Sequence, residues 1–275
     1  MQKNEIDYGI WDTPNEEDIL QMAHVITQYT RFIHPDIVKM IVEDNEKMFP
    51  IWKPMLENFG VITDTYMWDK GTCLFPGIRR HEGATEIANK RTKSLSLDNE
   101  NAIYLDDNDY PKHLWSFILF GKQFSKKGPI GYQLAHILDH KKNNNRLGSE
   151  LGLDSDIILP GLFTAPTNTC YVPIELMKPT DGNEKLRNLL FLKAKDLYRD
   201  VNILPNQYIS RINNDSPKWD IKNFKWAEPV GNINHVEAFL AYRRKKMGDL
   251  FKKKFELQSI DSNINNGLIM EKDSI

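Results

Sequence analysis

The chain has 275 residues, 40% of them hydrophobic, and its 36 Lys and Arg nearly balance its 38 Asp and Glu for a net charge of −2. Six Trp, ten Tyr and thirteen Phe argue against a disordered chain, and the charge excludes a uniformly basic nucleic-acid binder, so any such face must come from local clustering. No apolar run approaches the ~20 residues that span a bilayer, the polar start MQKNEIDYGIWDTPNEEDIL is unlike a signal peptide, and Cys73 and Cys170 read as free buried thiols of a cytoplasmic protein.

In chain order, residues 1–100 read as a mainly helical region. Asn15-Glu16-Glu17-Asp18 places acids before the apolar-periodic Ile19, Leu20, Met22, Ala23, Val25 and Ile26, a helix start. Pro35-Asp36 opens a second helix with Ile37, Val38, Met40 and Ile41 on its face. Pro50 and Pro54 are expected to break the next stretch into a less regular segment. From Val61 the pattern turns to strands and loops, with FPGIRRHEG as a marked loop whose Arg79 and Arg80 suit phosphate or guanine contacts. Lys90 to Asn101 is a polar, Ser-rich connection.

Residues 101–200 carry the most informative pattern. Asp106-Asp107-Asn108-Asp109 lacks the Gly and distal Glu of a calcium loop and reads as an acidic turn. Lys122, Lys126 and Lys127 precede an apolar strand, Tyr132–Ile137, which carries His136 near its end. Asp139, His140, Lys141 and Lys142 lie just beyond it. Ser155 to Pro160 has the makings of a small extra strand. Asn168 then stands before a second strand, Thr169–Leu176, and Asp181-Gly182 opens a helix, Gly182–Tyr198, with Leu186, Leu189, Leu190, Lys193 and Leu197 on one stripe. A histidine ending one strand, an asparagine starting its partner and a carboxylate at the following helix can converge on one metal ion, a geometry suited to phosphodiester hydrolysis.

Residues 201–257 are irregular as far as Asn234 and then form a basic helix from His235 to Glu256. Arg243, Arg244, Lys245, Lys246, Lys252, Lys253 and Lys254 stand against three acids there. Val236, Leu240, Met247, Leu250, Phe251 and Phe255 form its apolar stripe. Residues 258–275 read as a disordered polar tail. The fold class expected is α+β, with an antiparallel hairpin and helix embedded in mainly helical flanks.

Leu134-Ala135-His136-Ile137 and Thr167-Asn168-Thr169-Cys170-Tyr171-Val172 resemble the two motifs of the HNH (ββα-metal) nuclease superfamily, in particular its type II restriction endonucleases. The resemblance covers roughly 70 residues. It implies a ββα-metal core, His136 as general base and Asn168 as the residue that orients it. It also implies a single divalent cation, magnesium, for which Asp139 and Asp181 are the hard ligands available. The chain departs from the family in three places. Ala135 stands where many members have Asp, Met177 falls where the helix ligand often lies, and no paired CxxC is present. A second register takes Asp139-His140 as ligand and base, so His136 and His140 both remain candidates. The activity implied is metal-dependent cleavage of double-stranded DNA by a restriction or defence enzyme. Arg79, Arg80, Lys126, Lys141, Arg243 and Arg244 would meet the duplex, and a homodimer is expected by analogy if the target is palindromic. The competing reading is a non-catalytic nucleic-acid-binding protein that uses the basic helix.

Overall fold

Helix α1 (Glu16–Tyr29) starts where its cap dictates. In a computed structural model that describes residues 14–58, 70–75, 78–79, 104–105, 109–125, 128–138, 162–204, 219–249 and 251–252, the Asn15 side chain accepts the backbone N–H of Glu17 and Asp18, and the Asp18 carboxylate accepts the Asn15 N–H in return. That reciprocal box satisfies donors the helix itself cannot reach. Ala23, Ile26 and Thr27 form its buried face.

Helix α2 (Pro35–Asn58) begins on a proline, as expected, but does not stop at Pro50 or Pro54. The two prolines are four residues apart and both are exposed, so the carbonyls they leave unpaired face water. Inward, Ile37, Val38, Ile41 and Trp52 are buried and hold the helix in one piece. Strands β1 (Ile78–Arg79) and β2 (Tyr104–Leu105) form a short parallel pair. Helix α3 (Asp109–Phe120) has Pro111, Leu114, Trp115, Ser116, Phe117 and Ile118 all buried, and the acidic segment 106–108 before it lies outside the described residues.

Strands β3 (Tyr132–His136) and β4 (Thr169–Pro173) pair antiparallel, with Tyr132 opposite Pro173 and His136 opposite Thr169. A turn closed by Tyr132 N–H on Pro129 O, with Gly131 at φ 76, leads into β3. The Ile137 N–H donates to Asn168 O at 2.9 Å and the Ile174 N–H to Gly131 O at 3.0 Å. This phase makes His136–Thr169 and Leu134–Tyr171 the non-hydrogen-bonded pairs, in which side chains stand closest. The Tyr171 backbone therefore points outward, where Arg31 meets both its N–H and its C=O, and Ile33 in turn pairs with Val230. Strand β4 ends at Pro173, short of the expected Leu176; Ile174–Leu176 coil into a 3-10 turn instead.

Two helices follow where one was expected: a short α4 (Met177–Gly182) and α5 (Glu184–Leu197). Asn183 caps α5, accepting the Leu186 N–H, so Asp181 ends one helix rather than opening the next. Leu186, Leu189, Leu190, Phe191 and Ala194 are buried, and Lys185 pairs with Glu16 to tie α5 to α1. Lys193 sits on the apolar stripe because its ammonium rests 5.4 Å from the Trp226 ring centre. The basic helix α6 covers residues 236–249 and continues at 251–252. One hydrophobic core joins residues from Ala23 to Phe251. No helix among the described residues is long and apolar enough to cross a membrane. Both cysteines are free and buried, and burial pushes each thiol up to about 12.

Alternation along β4 separates two faces. Thr169 and Tyr171 point to α3: the Trp115 indole donates to Thr169 Oγ1 at 3.3 Å and stands edge-on to Tyr171, 4.7 Å between centres. His136, as the cross-strand partner of Thr169, belongs to this face. Cys170 points the other way, toward Tyr198 at the end of α5, whose hydroxyl donates to Ile33 O at 2.8 Å. Tyr198, which caps α5, thus lies on the face opposite His136, and Trp115 of α3 lies on the face of Thr169.

The expectation that Arg243 meets DNA phosphates is overturned. Its side chain is 0% exposed, and its guanidinium donates to Asp44 and, at 2.8 Å, to Asn45 Oδ1. Asn45 donates its amide to the carbonyls of Gly71 and Cys73, at 2.8 and 3.0 Å. Arg244, partly exposed, binds the same Asp44 and reaches Glu237 at 3.7 Å. Removing Asp44 strands a buried cation, so Asp44→Ala is expected to cost about 3–5 kcal/mol in denaturant unfolding. Arg244→Ala, at a partly exposed site, should cost about 1 kcal/mol or less; equal losses would show that Arg243 is not dependent on Asp44.

His113 of α3 fixes the strap at residues 121–125. Its Nδ1 accepts the Phe124 N–H at 3.1 Å, a bond only neutral imidazole can make. Burial first, and then the Lys246 ammonium, lowers its pKa from 6.5 to about 4. The unfolded chain therefore takes up a proton before the folded one does. Stability is complete above pH 6.5 and falls as pH drops toward about 4. In His113→Asn, whose Oδ1 can replace Nδ1, urea midpoints across that window should decline less; an unchanged decline would assign it to carboxylates.

Candidate active site

Asn168 is buried at the end of the 3-10 turn Pro166–Asn168, immediately before β4. Its side chain bonds entirely to backbone. Oδ1 accepts the Leu138 N–H at 2.7 Å, and Nδ2 donates to Leu138 O at 3.4 Å and Leu162 O at 3.3 Å. Its own carbonyl takes the Ile137 N–H. The two residues after His136 are therefore held at three backbone atoms by one residue of the facing strand. His136 itself is half-buried, at the point where β3 ends and the chain leaves the sheet.

Hydroxyls brace this corner. Thr169, opposite His136, accepts from Trp115 and donates to Pro166 O at 3.2 Å. Thr164 Oγ1 exchanges bonds with both backbone groups of Phe75 at 3.3 Å, and Thr167 Oγ1 meets Thr72 Oγ1 at 2.7 Å. Thr72, Thr164, Thr167 and Thr169 are all buried. The turn carrying Asn168 is thus bonded to residues 72–75, which Asn45 anchors from behind. Tyr171, two residues on and on the same face, keeps its phenol protonated, since burial pushes it up to about 12.

The structure brings His136 and Asn168 together on paired strand ends, and distributes the other candidates. Asp139, His140, Lys141, Arg80 and Lys126 lie outside the described residues, and Arg79 is described only as backbone of β1. Asp181 is exposed near the end of α4. Among the described residues no three His, Cys, Asp or Glu side chains gather as a metal group. They give the corner one imidazole and no set of the oxygen ligands a hard cation takes.

Sequence reasoning missed the threonines and Trp115. The run FTAPTNT held a signal for them: three hydroxyl residues in an apolar loop must bury their hydroxyls against partners. No family model matches the chain, and no curated protein or solved structure matches it.

Replacing Asn168 with Ala leaves the buried Leu138 N–H without an acceptor and should cost about 1–3 kcal/mol of stability. Hydrogen exchange is the sharper measurement. The Leu138 amide should lose protection in Asn168→Ala well beyond the global change, and protection that tracks only global stability would mean that Asn168 does not hold this loop.

Proposed function

We propose that this protein is a metal-dependent endonuclease that cleaves double-stranded DNA, a site-specific restriction or defence enzyme with a core of ββα-metal type formed by β3, β4 and the helical segment after β4. The observation that carries this reading is the Asn168 clamp. An asparagine at the start of one strand fixes the backbone just after a histidine at the end of its partner. A base that must take a proton from water needs a fixed ring position, and two locked residues behind it supply that.

In this reading neutral His136 takes the proton from the attacking water, and Asn168 holds the loop that sets its direction. Thr169 and Trp115 keep the neighbouring strand end in place. Asp139 would hold a divalent cation, magnesium by the hardness of its ligand, with Asp181 or His140 completing the set; its chemistry is neutralisation of phosphate charge. His140 is the alternative base, two residues past the clamped Leu138.

The test is plasmid cleavage by purified protein with magnesium, with and without chelator. Cleavage should appear only with the metal, and His136→Ala should lose about 10²–10⁴-fold in rate with DNA binding retained. A comparable loss in His140→Ala beside a near-normal His136→Ala would move the base to the second register. Full activity in both would remove the mechanism.

A further inference from the structure

The cations of α6 do not share one environment. Arg243 is buried on Asp44, and Arg244 is held by Asp44 and Glu237. Lys245 is exposed and Lys246 half-buried on the outer side. The Lys246 ammonium lies 5.8 Å from the Tyr242 ring centre. Tyr242 packs on His113, 5.0 Å between centres, and His113 packs edge-on to Phe124 at 6.2 Å. On the far side of that stack the Lys112 ammonium stands 5.5 Å from the Phe124 ring. Lys122 is exposed two residues before Phe124.

Three segments, two of them distant in sequence from the third, thus bring Lys112 and Lys246 onto one aromatic stack, with Lys122 on the strap that carries Phe124 and Lys245 next to Lys246 in sequence. None of the four meets a carboxylate among the described residues. Four such ammonium groups on rigid supports repel one another unless an anion lies across them. The field is felt locally, since Lys246 helps to keep His113 neutral.

We propose that this surface, where α3, the 121–125 strap and α6 meet, receives the sugar–phosphate backbone of duplex DNA. It rests on the nuclease reading for the choice of polyanion, and it replaces the Arg243–Arg244 pair as the phosphate-binding part of α6. Lys112 and Lys122 come from elements other than α6, so the cations are not confined to one helix, around whose axis adjacent residues diverge.

The experiment is equilibrium binding of a fluorescent duplex in chelator, so that no cleavage is required, across a salt series. In Lys112→Gln/Lys122→Gln/Lys246→Gln the slope of log affinity against log salt should become shallower by up to about 3 units, roughly 0.9 for each phosphate no longer neutralised. Arg244→Gln should leave the slope unchanged, because that side chain is already paired. A normal slope in the triple variant, or an equal change in Arg244→Gln, overturns the assignment. So does retention on phosphatidylserine vesicles that the triple variant loses while its DNA binding stays intact, which would make the surface a lipid site. Binding that shows the expected slopes without any cleavage in magnesium supports this surface and removes the nuclease reading. Cleavage with unchanged slopes does the reverse.

Discussion

A guanidinium with no access to water has to be met by a carboxylate, and in this protein that requirement falls on Asp44. Taking Arg243 out of solvent is costly, and the cost is offset only while Asp44 and Asn45 hold their positions on α2. Asn45 is in turn fixed by the carbonyls of Gly71 and Cys73. From there the links continue through Thr72 to Thr167 and through Phe75 to Thr164, and so to the turn that presents Asn168. The polar chain ends at the Leu138 backbone, two residues past His136. Each step is a directional bond with little tolerance in length. The position of the strand end is therefore set jointly with the seating of α6 on α2.

Hydrophobic burial alone would not give this. A core of Ile, Leu and Phe tolerates small slips of one element on another, because its contacts are non-directional. Four buried threonines, two asparagines and an ion pair do not, since a slip leaves a donor or an acceptor without a partner. They are concentrated between α2 and the hairpin rather than spread through the core. The protein thus has its least adjustable packing where a proton-transfer group would need it.

The start of α1 at Asn15, the buried stripe of α5 and the antiparallel pairing of the strands carrying His136 and Thr169 were legible in the sequence, because acidic first-turn residues, helical period and apolar strand runs are local signals. Val25, read into the apolar pattern of α1, is exposed. The continuation of α2 through Pro50 and Pro54 was not, because tertiary anchoring by Trp52 and Ile41 outweighs a local penalty borne on the solvent side. Arg243 misled for a related reason. Its position, three residues after Leu240 and four before Met247, lies on the buried stripe of the helix, but its charge read as a surface cation, and the Asp44 that meets it is distant in sequence. That Asn168 stands beside the strand end carrying His136 was readable from motif order, whereas α3, whose Trp115 bonds to the Thr169 opposite the histidine, precedes the motif and left no signal in its spacing.

Strand β4 takes its second neighbour from Arg31, and Ile33 beside it takes Val230. Both pairings close long loops, and the second joins the first pair of helices to a segment that a ribosome delivers well after β4. Arg31 precedes β4 in the chain, so the strand's outer edge finds its partner already made, and Ile33, whose carbonyl takes the Tyr198 hydroxyl, waits only for Val230 to complete its bridge. Contacts of such separation form slowly because their closure entropy is lost before any of them is rewarded. The outer edge of β4 can therefore be covered as soon as the strand is made, which leaves less of it open to pairing with another copy, while the segment beyond Arg31 waits for its later partner.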